Sequence, residues 1–318
     1  MLSLLLRRAC LPLALALPLT VIASSCGDEG PAGESTAESE ATGRALVIAS
    51  PDLAVGKQRL AFVVLENDLP VSEKPVFVRI FRDAATTAPK LVGEVGIPWA
   101  PLGAEEDQHG GPEHVQTELS GVYFVNLEFD APGAWGIGVT VGEKFVAAEE
   151  VRVQFSVAAV NVAPALGSKA IPVTNPTSAT HPLKQIHTGS EADPNFHSLT
   201  VADAITSGRP SVVVFATPSF CRTRTCGPSL QVAMRAEVKF GDDVNFLHLE
   251  PYELSTNGLL VEDKDGNPIF QVTKEGLAWR LPTEPWVFVI DAAGLIVARF
   301  DGLYALEELE FYLEQLTG

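Results

Sequence analysis

Residues 212–228 read VVVFATPSFCRTRTCGP, and this stretch decides the fold of the region around it. Val212 to Phe215 form a short apolar run of the kind that makes a buried strand. Thr217, Pro218 and Ser219 then break the pattern, and a helix is expected from about Pro228 to Phe240. Cys221 and Cys226 therefore fall between a strand and the entrance to a helix. A helix N-terminus stabilises a thiolate, and Arg222 and Arg224 add positive charge between the two cysteines. A bridge closing so few residues removes little chain entropy from the unfolded state, so the pair reads as a redox couple rather than a structural staple. Residues five apart on one helix point about 140° from each other, so closing this disulfide is expected to need local unwinding.

Outward from that stretch, strands alternate with helices. A short helix is expected at Leu199–Ser207, a strand at Val244–Leu249, two more strands at Trp286–Asp291 and Leu295–Phe300, and a last helix at Ala305–Leu316. This is an α/β domain over 186–318, with a short mixed sheet covered on both faces. Upstream the pattern is strand after strand. Gln58–Glu66, Pro75–Arg82, Val122–Phe129, Trp135–Val141 and Val151–Val157 are rich in Val, Phe and Ile and bounded by Gly, Pro, Asn and Asp. Alternation in Phe77, Arg79, Phe81 and in Tyr123, Val125, Leu127, Phe129 predicts one buried and one wet face per strand. The expectation is an all-β sandwich of about seven strands over 44–159. Between the two domains, 160–185 contains Pro164, Pro172, Pro176 and Pro182 and reads as a Pro-rich linker.

The chain has 318 residues, enough for two ordinary domains with a leader and tether. A net charge of -18 excludes nucleic acid as a partner, because phosphate binding needs clustered Lys and Arg. Arg7 and Arg8 followed by an apolar run from Cys10 to Ile22 read as a secretory signal, too short to span a bilayer. Ala23, Ser24 and Ser25 before Cys26 resemble the bacterial lipobox, with Ala23 where Leu is usual. The resemblance implies a lipoprotein signal peptide over 1–26, lipidation at Cys26, and an exported protein anchored on the extracytoplasmic face of the membrane. Residues 27–43 suit an acidic flexible tether. With Cys10 in the leader and Cys26 at the anchor, Cys221 and Cys226 are the cysteines left to the folded domains. His109 and His114, among Glu105, Glu106, Asp107 and Glu113, lack metal-binding spacing and read as a solvated polar loop.

Residues 196–318 resemble thioredoxin-like proteins of the exported, TlpA-like kind. VVVFAT corresponds to the strand before the active site, PWVFVIDAAG to the cis-proline, strand and turn, and YALEELEFYLEQL to the closing helix. The resemblance implies a thiol-disulfide oxidoreductase that needs no cofactor and acts on protein thiols or disulfides, with Cys221, Cys226 and the cis-proline Pro285 as site residues. Pro282 competes for the cis-proline role, but Pro285 also aligns Asp291 and Gly294. GVYFVNLEFDAPGAWGIGVTV, 121–141, resembles the closing strands of immunoglobulin-like domains in exported copper-handling and YtkA-like proteins.

The chain departs from the thioredoxin pattern in three ways. Four residues separate the cysteines instead of two. Cys226-Gly227-Pro228-Ser229 resembles the family's C-G-P-C with serine last, so either Cys221 or Cys226 could be the nucleophile. The family's buried acid is Val214 here, with His248 or Glu250 as substitutes for proton transfer. The spacing also resembles PrxQ-type peroxiredoxins, but Val214, Pro218 and Val297 stand where that family has Pro, Thr and Arg. A third reading is a Cu(I) metallochaperone of the thioredoxin fold, with two thiolates and His248 as ligands.

Overall fold

The structure, a computed structural model, describes residues 36–39, 43–103, 120–190 and 192–318. The leader with Cys26, most of the tether and the loop with His109 and His114 lie outside the described residues. The N-terminal half folds into β1 (Thr36–Ser39), β2 (Arg44–Ile48), β3 (Gly56–Glu66), β4 (Leu69–Pro70), β5 (Val76–Arg82), β6 (Lys90–Ile97), β7 (Ala100–Pro101), β8 (Gly121–Phe129), β9 (Gly133–Val141) and β10 (Val151–Val157). They form two antiparallel sheets, one ordered β1-β2-β3-β8-β7 with β4 beside β3, the other β10-β9-β5-β6. Leu60, Phe62, Tyr123 and Phe129 from the first sheet meet Val78, Ile80, Ile137, Val153 and Phe155 from the second in one core.

Strand periodicity explains most of this packing. In β10, Val151, Val153, Phe155 and Val157 are buried while Arg152, Gln154 and Ser156 are exposed. In β5, Val76, Val78 and Ile80 enter the sandwich core, while Phe77, Arg79 and Phe81 lie on the opposite face, where Phe81 is also buried. That face is tiled by charge on aromatic rings: the Arg79 guanidinium lies over Phe81 and Phe145, and that of Arg152 over Phe81. The apolar residues at those outer positions cover the sheet from outside rather than fill its core.

The C-terminal half holds β11 (Ser211–Phe215), β12 (Asn245–Leu249), β13 (Trp286–Ile290) and β14 (Ile296–Asp301), with α1 (Val201–Ala204), α2 (Cys226–Phe240), α3 (Lys274–Trp279) and α4 (Leu306–Thr317). The sheet order is β12-β11-β13-β14; β12 runs parallel to β11, and β13 antiparallel to both its neighbours. Every residue of β11 and β13 is buried, so their side chains feed two cores. Val212, Val214, Val287 and Val289 pack with residues of α2 and α4, while Val213, Phe215, Trp286 and Phe288 pack with Trp279 and Val201. Helix α2 begins at Cys226, two residues before the expected start, and the helix expected at Leu199–Ser207 is the single turn α1 followed by turns. The Pro-rich stretch 160–185 has little regular structure, yet Ala163 and Ala170 lie in the second core, and Asn175 Oδ1 accepts the Val201 N–H at 2.8 Å. Among the described residues no helix is long and apolar enough to cross a membrane.

The described residues all belong to one compact unit. The reason lies on β3, whose two faces are both occupied: Leu60 and Phe62 enter the sandwich core, while Ala61 joins the core shared with α2 and α4. Arg59, on the same face as Ala61, forms a two-pronged pair with Glu308 of α4, Nε to Oε2 at 2.7 Å and Nη2 to Oε1 at 2.8 Å. It also donates to the Leu303 carbonyl and sits over the Phe124 and Phe300 rings. A second buried pair joins Arg299 Nη2 of β14 to Asp52 Oδ2 at 2.8 Å, and the Asp52 carboxylate also accepts the Val162 and Ala163 N–H groups. Neither pair is exposed, so removing one partner strands a buried charge. Arg59→Ala is therefore expected to lower unfolding stability by about 3–5 kcal/mol. Arg59→Met combined with Glu308→Leu, which leaves no orphan charge, is expected to cost clearly less. Urea denaturation followed by tryptophan fluorescence compares the two; equal losses would show that the charge pairing is not what holds this face.

Candidate functional site

The site forms where β11 ends. Ala216 N–H still bonds to the Leu249 carbonyl, extending the strand pairing by one residue, and the chain then turns through Thr217–Thr225 before entering α2. Arg224 has φ 63°, in the left-handed region, which bends the loop back so that α2 starts at Cys226. Cys221 thus lies in the loop and Cys226 is the first helical residue. The Cys226 N–H, one of the helix's unpaired N-terminal donors, points at Cys221 Sγ at 3.2 Å. This corrects the expectation of unwinding: the two cysteines do not share a helix, and the loop already brings them together.

Their environments are opposite. Cys221 is partly exposed and Cys226 is fully buried in the core with Leu230 and Val214. The Cys226 side chain, the Thr223 hydroxyl 3.4 Å from Sγ, and the backbone N–H groups of Cys226 and Thr223 bring the Cys221 thiol down to about 5 against the opposing effect of burial. Burial, followed by its hydrogen bond with Cys221 and the charge there, pushes the Cys226 thiol strongly up. The cause lies in hydrogen bonds rather than in the arginines expected to supply it, and the Arg222 guanidinium lies over the exposed Phe270 ring instead. Both cysteines are free thiols.

The peptide bond between Glu284 and Pro285 is cis, and the turn carrying it docks on the cysteine loop. The Thr223 hydroxyl donates to the Glu284 carbonyl at 3.2 Å, and the Arg222 N–H donates to Glu284 Oε1 at 3.2 Å. Glu284 Oε2 accepts the Tyr252 hydroxyl at 2.6 Å. Burial raises the Glu284 carboxyl pKa, and its charge acts on both thiols. Glu284 is thus the buried acid of the site. It lies neither on β11, where Val214 holds the family's acid position, nor beside β12, where His248 and Glu250 were expected to substitute.

The substitutes named from sequence lie elsewhere. His248 Nε2 donates to the Ala216 carbonyl at 2.9 Å and its Nδ1 lies 3.1 Å from His187 Nδ1, so both ring nitrogens are occupied away from the thiols. A ligand set of Cys221, Cys226 and His248 is therefore not assembled. Burial, and repulsion from neighbouring imidazoles, holds His248 well below the usual histidine range. Glu250 accepts the Thr188 N–H at 2.7 Å, and burial raises it to about 7. Ser229 is fully buried and donates to the Gly302 carbonyl at 2.9 Å, and Tyr304 donates to the Ser229 carbonyl, tying the first turn of α2 to the end of β14.

No family model and no curated protein matches the chain. Among solved structures it is similar to the crystal structure of a thiol:disulfide interchange protein, a thioredoxin family protein from Chlorobium tepidum TLS, at 14% identity over 48% of this chain and 100% of that chain, with a TM-score of 0.27.

The geometry makes a pH prediction. Alkylation of Cys221 by iodoacetamide, which needs the thiolate, should rise with a midpoint near pH 5. Cys226→Ala removes the largest lowering contribution and should move that midpoint upward. Peptide mapping should find Cys226 unmodified throughout. A midpoint in the ordinary thiol range, or one unmoved by Cys226→Ala, contradicts this assignment.

Proposed function

We propose that the protein is a thiol-disulfide oxidoreductase with a thioredoxin-like C-terminal domain, cycling through Cys221 and Cys226. The observation that carries this reading is the asymmetry of the pair: a partly exposed thiol held low beside a buried thiol held high. In the reducing direction the Cys221 thiolate attacks a substrate disulfide, forming a mixed disulfide and releasing one substrate thiolate. Cys226 then gives up its proton and attacks Cys221 Sγ, closing the protein disulfide and releasing the second substrate thiolate. Glu284, coupled by charge to both thiols and raised toward the protonated state, is the group we assign to receive that proton. The reverse sequence oxidises a substrate dithiol.

The attacking thiol is Cys221 in this reading because Cys226 has no exposed surface for a protein disulfide to reach. Cys226→Ser is expected to trap a mixed disulfide at Cys221, and Cys221→Ser to form none. Mass spectrometry of the reaction products decides between them. Trapping by Cys221→Ser instead would reverse the assignment. Glu284→Gln should leave formation of the mixed disulfide intact and slow its resolution.

The site acts, in the same proposal, on protein thiols or disulfides outside the cytoplasm, held to the membrane by a lipid on Cys26 and carried by an immunoglobulin-like sandwich. Incorporation of a fatty-acid probe should be seen in the native chain and lost in Cys26→Ser; equal labelling of both would remove the anchor from the proposal.

A further inference from the structure

We propose that His187, His197 and His248 form a site for one divalent transition-metal ion, with zinc(II) the ion that its donors suit. The three residues come from separate segments: His187 follows the turn Leu183–Gln185, His197 ends the turn Pro194–His197, and His248 lies in β12. All three are buried, at 7%, 1% and 2% exposure. One ring nitrogen from each converges on a common point, all within 4.8 Å of one another. His187 Nδ1 lies 3.1 Å from His248 Nδ1 and 3.3 Å from His197 Nε2. An ion held tetrahedrally at about 2.0–2.1 Å by imidazoles keeps its ligand atoms about 3.3 Å apart. Two edges of the triangle already have that length.

The hydrogen positions follow from the partners. The Ala216 carbonyl can only accept, so His248 Nε2 carries the hydrogen and its Nδ1 presents a lone pair to the cluster. His187 Nδ1 either carries one hydrogen shared between two neighbouring nitrogens or faces the His248 lone pair with its own. Three converging imidazole nitrogens cannot satisfy one another fully. Burying three polar rings in this way costs free energy that an apolar trio would not, unless something binds them. A metal ion satisfies all three lone pairs together.

The surroundings match those of a ligand set. The bond from His248 Nε2 to Ala216 is the outer-shell contact that fixes a ligating imidazole's tautomer. The His187 ring lies close against Gly189, where a Cβ would come within 2.5 Å of its Nε2. A cleft of about 460 Å³, lined by Ile186, Glu250 and Tyr252 among others, borders His248, one of the three ligands. Three protein ligands leave a fourth position for water. The ion would also brace Ala216, through which β11 leads into the cysteine loop.

The test uses the untagged full chain with Cys10, Cys26, Cys221 and Cys226 replaced by serine, so that no thiol contributes. Equilibrium dialysis with zinc(II) should find one ion per chain, and the cobalt(II) form should show ligand-field bands with no thiolate charge transfer. His197→Gln should weaken zinc binding by more than about 100-fold, the upper end of what losing even an outer-shell partner costs. In the native chain, zinc should shift the ring resonances of His187, His197 and His248 and leave those of His109, His114 and His181 in place, a readout that does not depend on any variant folding. Absence of bound zinc, binding unchanged by His197→Gln, or shifts confined to the other histidines would overturn the proposal and leave a purely structural imidazole cluster.

Discussion

The structure of the C-terminal half depends on one constraint: β11 is buried on both faces along its whole length. Side chains at alternate positions serve opposite cores, so neither face is free to hold a polar site. Polar chemistry is forced to the end of the strand, where the chain leaves the sheet and backbone donors lose their strand partners. The loop after Ala216, the start of α2 and the turn at Pro285 all meet there. The same constraint explains why the acid of the site does not come from β11, where Val214 faces the helices within the apolar core. It comes from Glu284, at the mouth of the antiparallel neighbour β13.

The division of labour between the two sulfurs follows from where the helix begins. Because α2 starts at Cys226, that residue must be buried to let Ser229, Leu230 and Ala233 pack, while its N–H stays unpaired within the helix. That donor falls on Cys221 Sγ, and the separate hydrogen bond between the two side chains acts in opposite directions, favouring the thiolate on the outer sulfur and the thiol on the inner one. A four-residue spacer achieves this with a left-handed residue at Arg224, which absorbs the extra length without disturbing the helix.

The sandwich is fastened to this domain by buried charges as well as apolar contact. Arg59–Glu308 and Arg299–Asp52 each have additional hydrogen bonds to backbone, which offset part of the desolvation that a bare pair would suffer. Such pairs add direction more than net stability: an apolar surface tolerates sliding, whereas a forked guanidinium on a carboxylate accepts one alignment. Ser50 adds to the same seam by donating to Asp301. The segment 160–185 meets the C-terminal sheet at a few points, where Ala163 and Ala170 join its core and Lys169 pairs with Leu295.

Local pattern in the sequence determined the alternation of strand and helix around Cys221 and the main strands of the sandwich, because periodicity and turn chemistry act over a few residues and are written in consecutive positions. It also placed both cysteines between a strand and a helix. It did not reveal which face of β5 is inside, since Phe77 and Phe81 are as apolar as Val78, and on the outer face Phe81 lies under Arg79 and Arg152 while Phe77 meets Phe145. Nor did it reveal that Arg59 would find Glu308 at a separation of 249 residues, that Glu284 would supply the acid, or that His187, His197 and His248 would converge. Those are contacts between segments distant in the chain, and a side chain's partner across such a distance is fixed only when the sheets, helices and turns have packed.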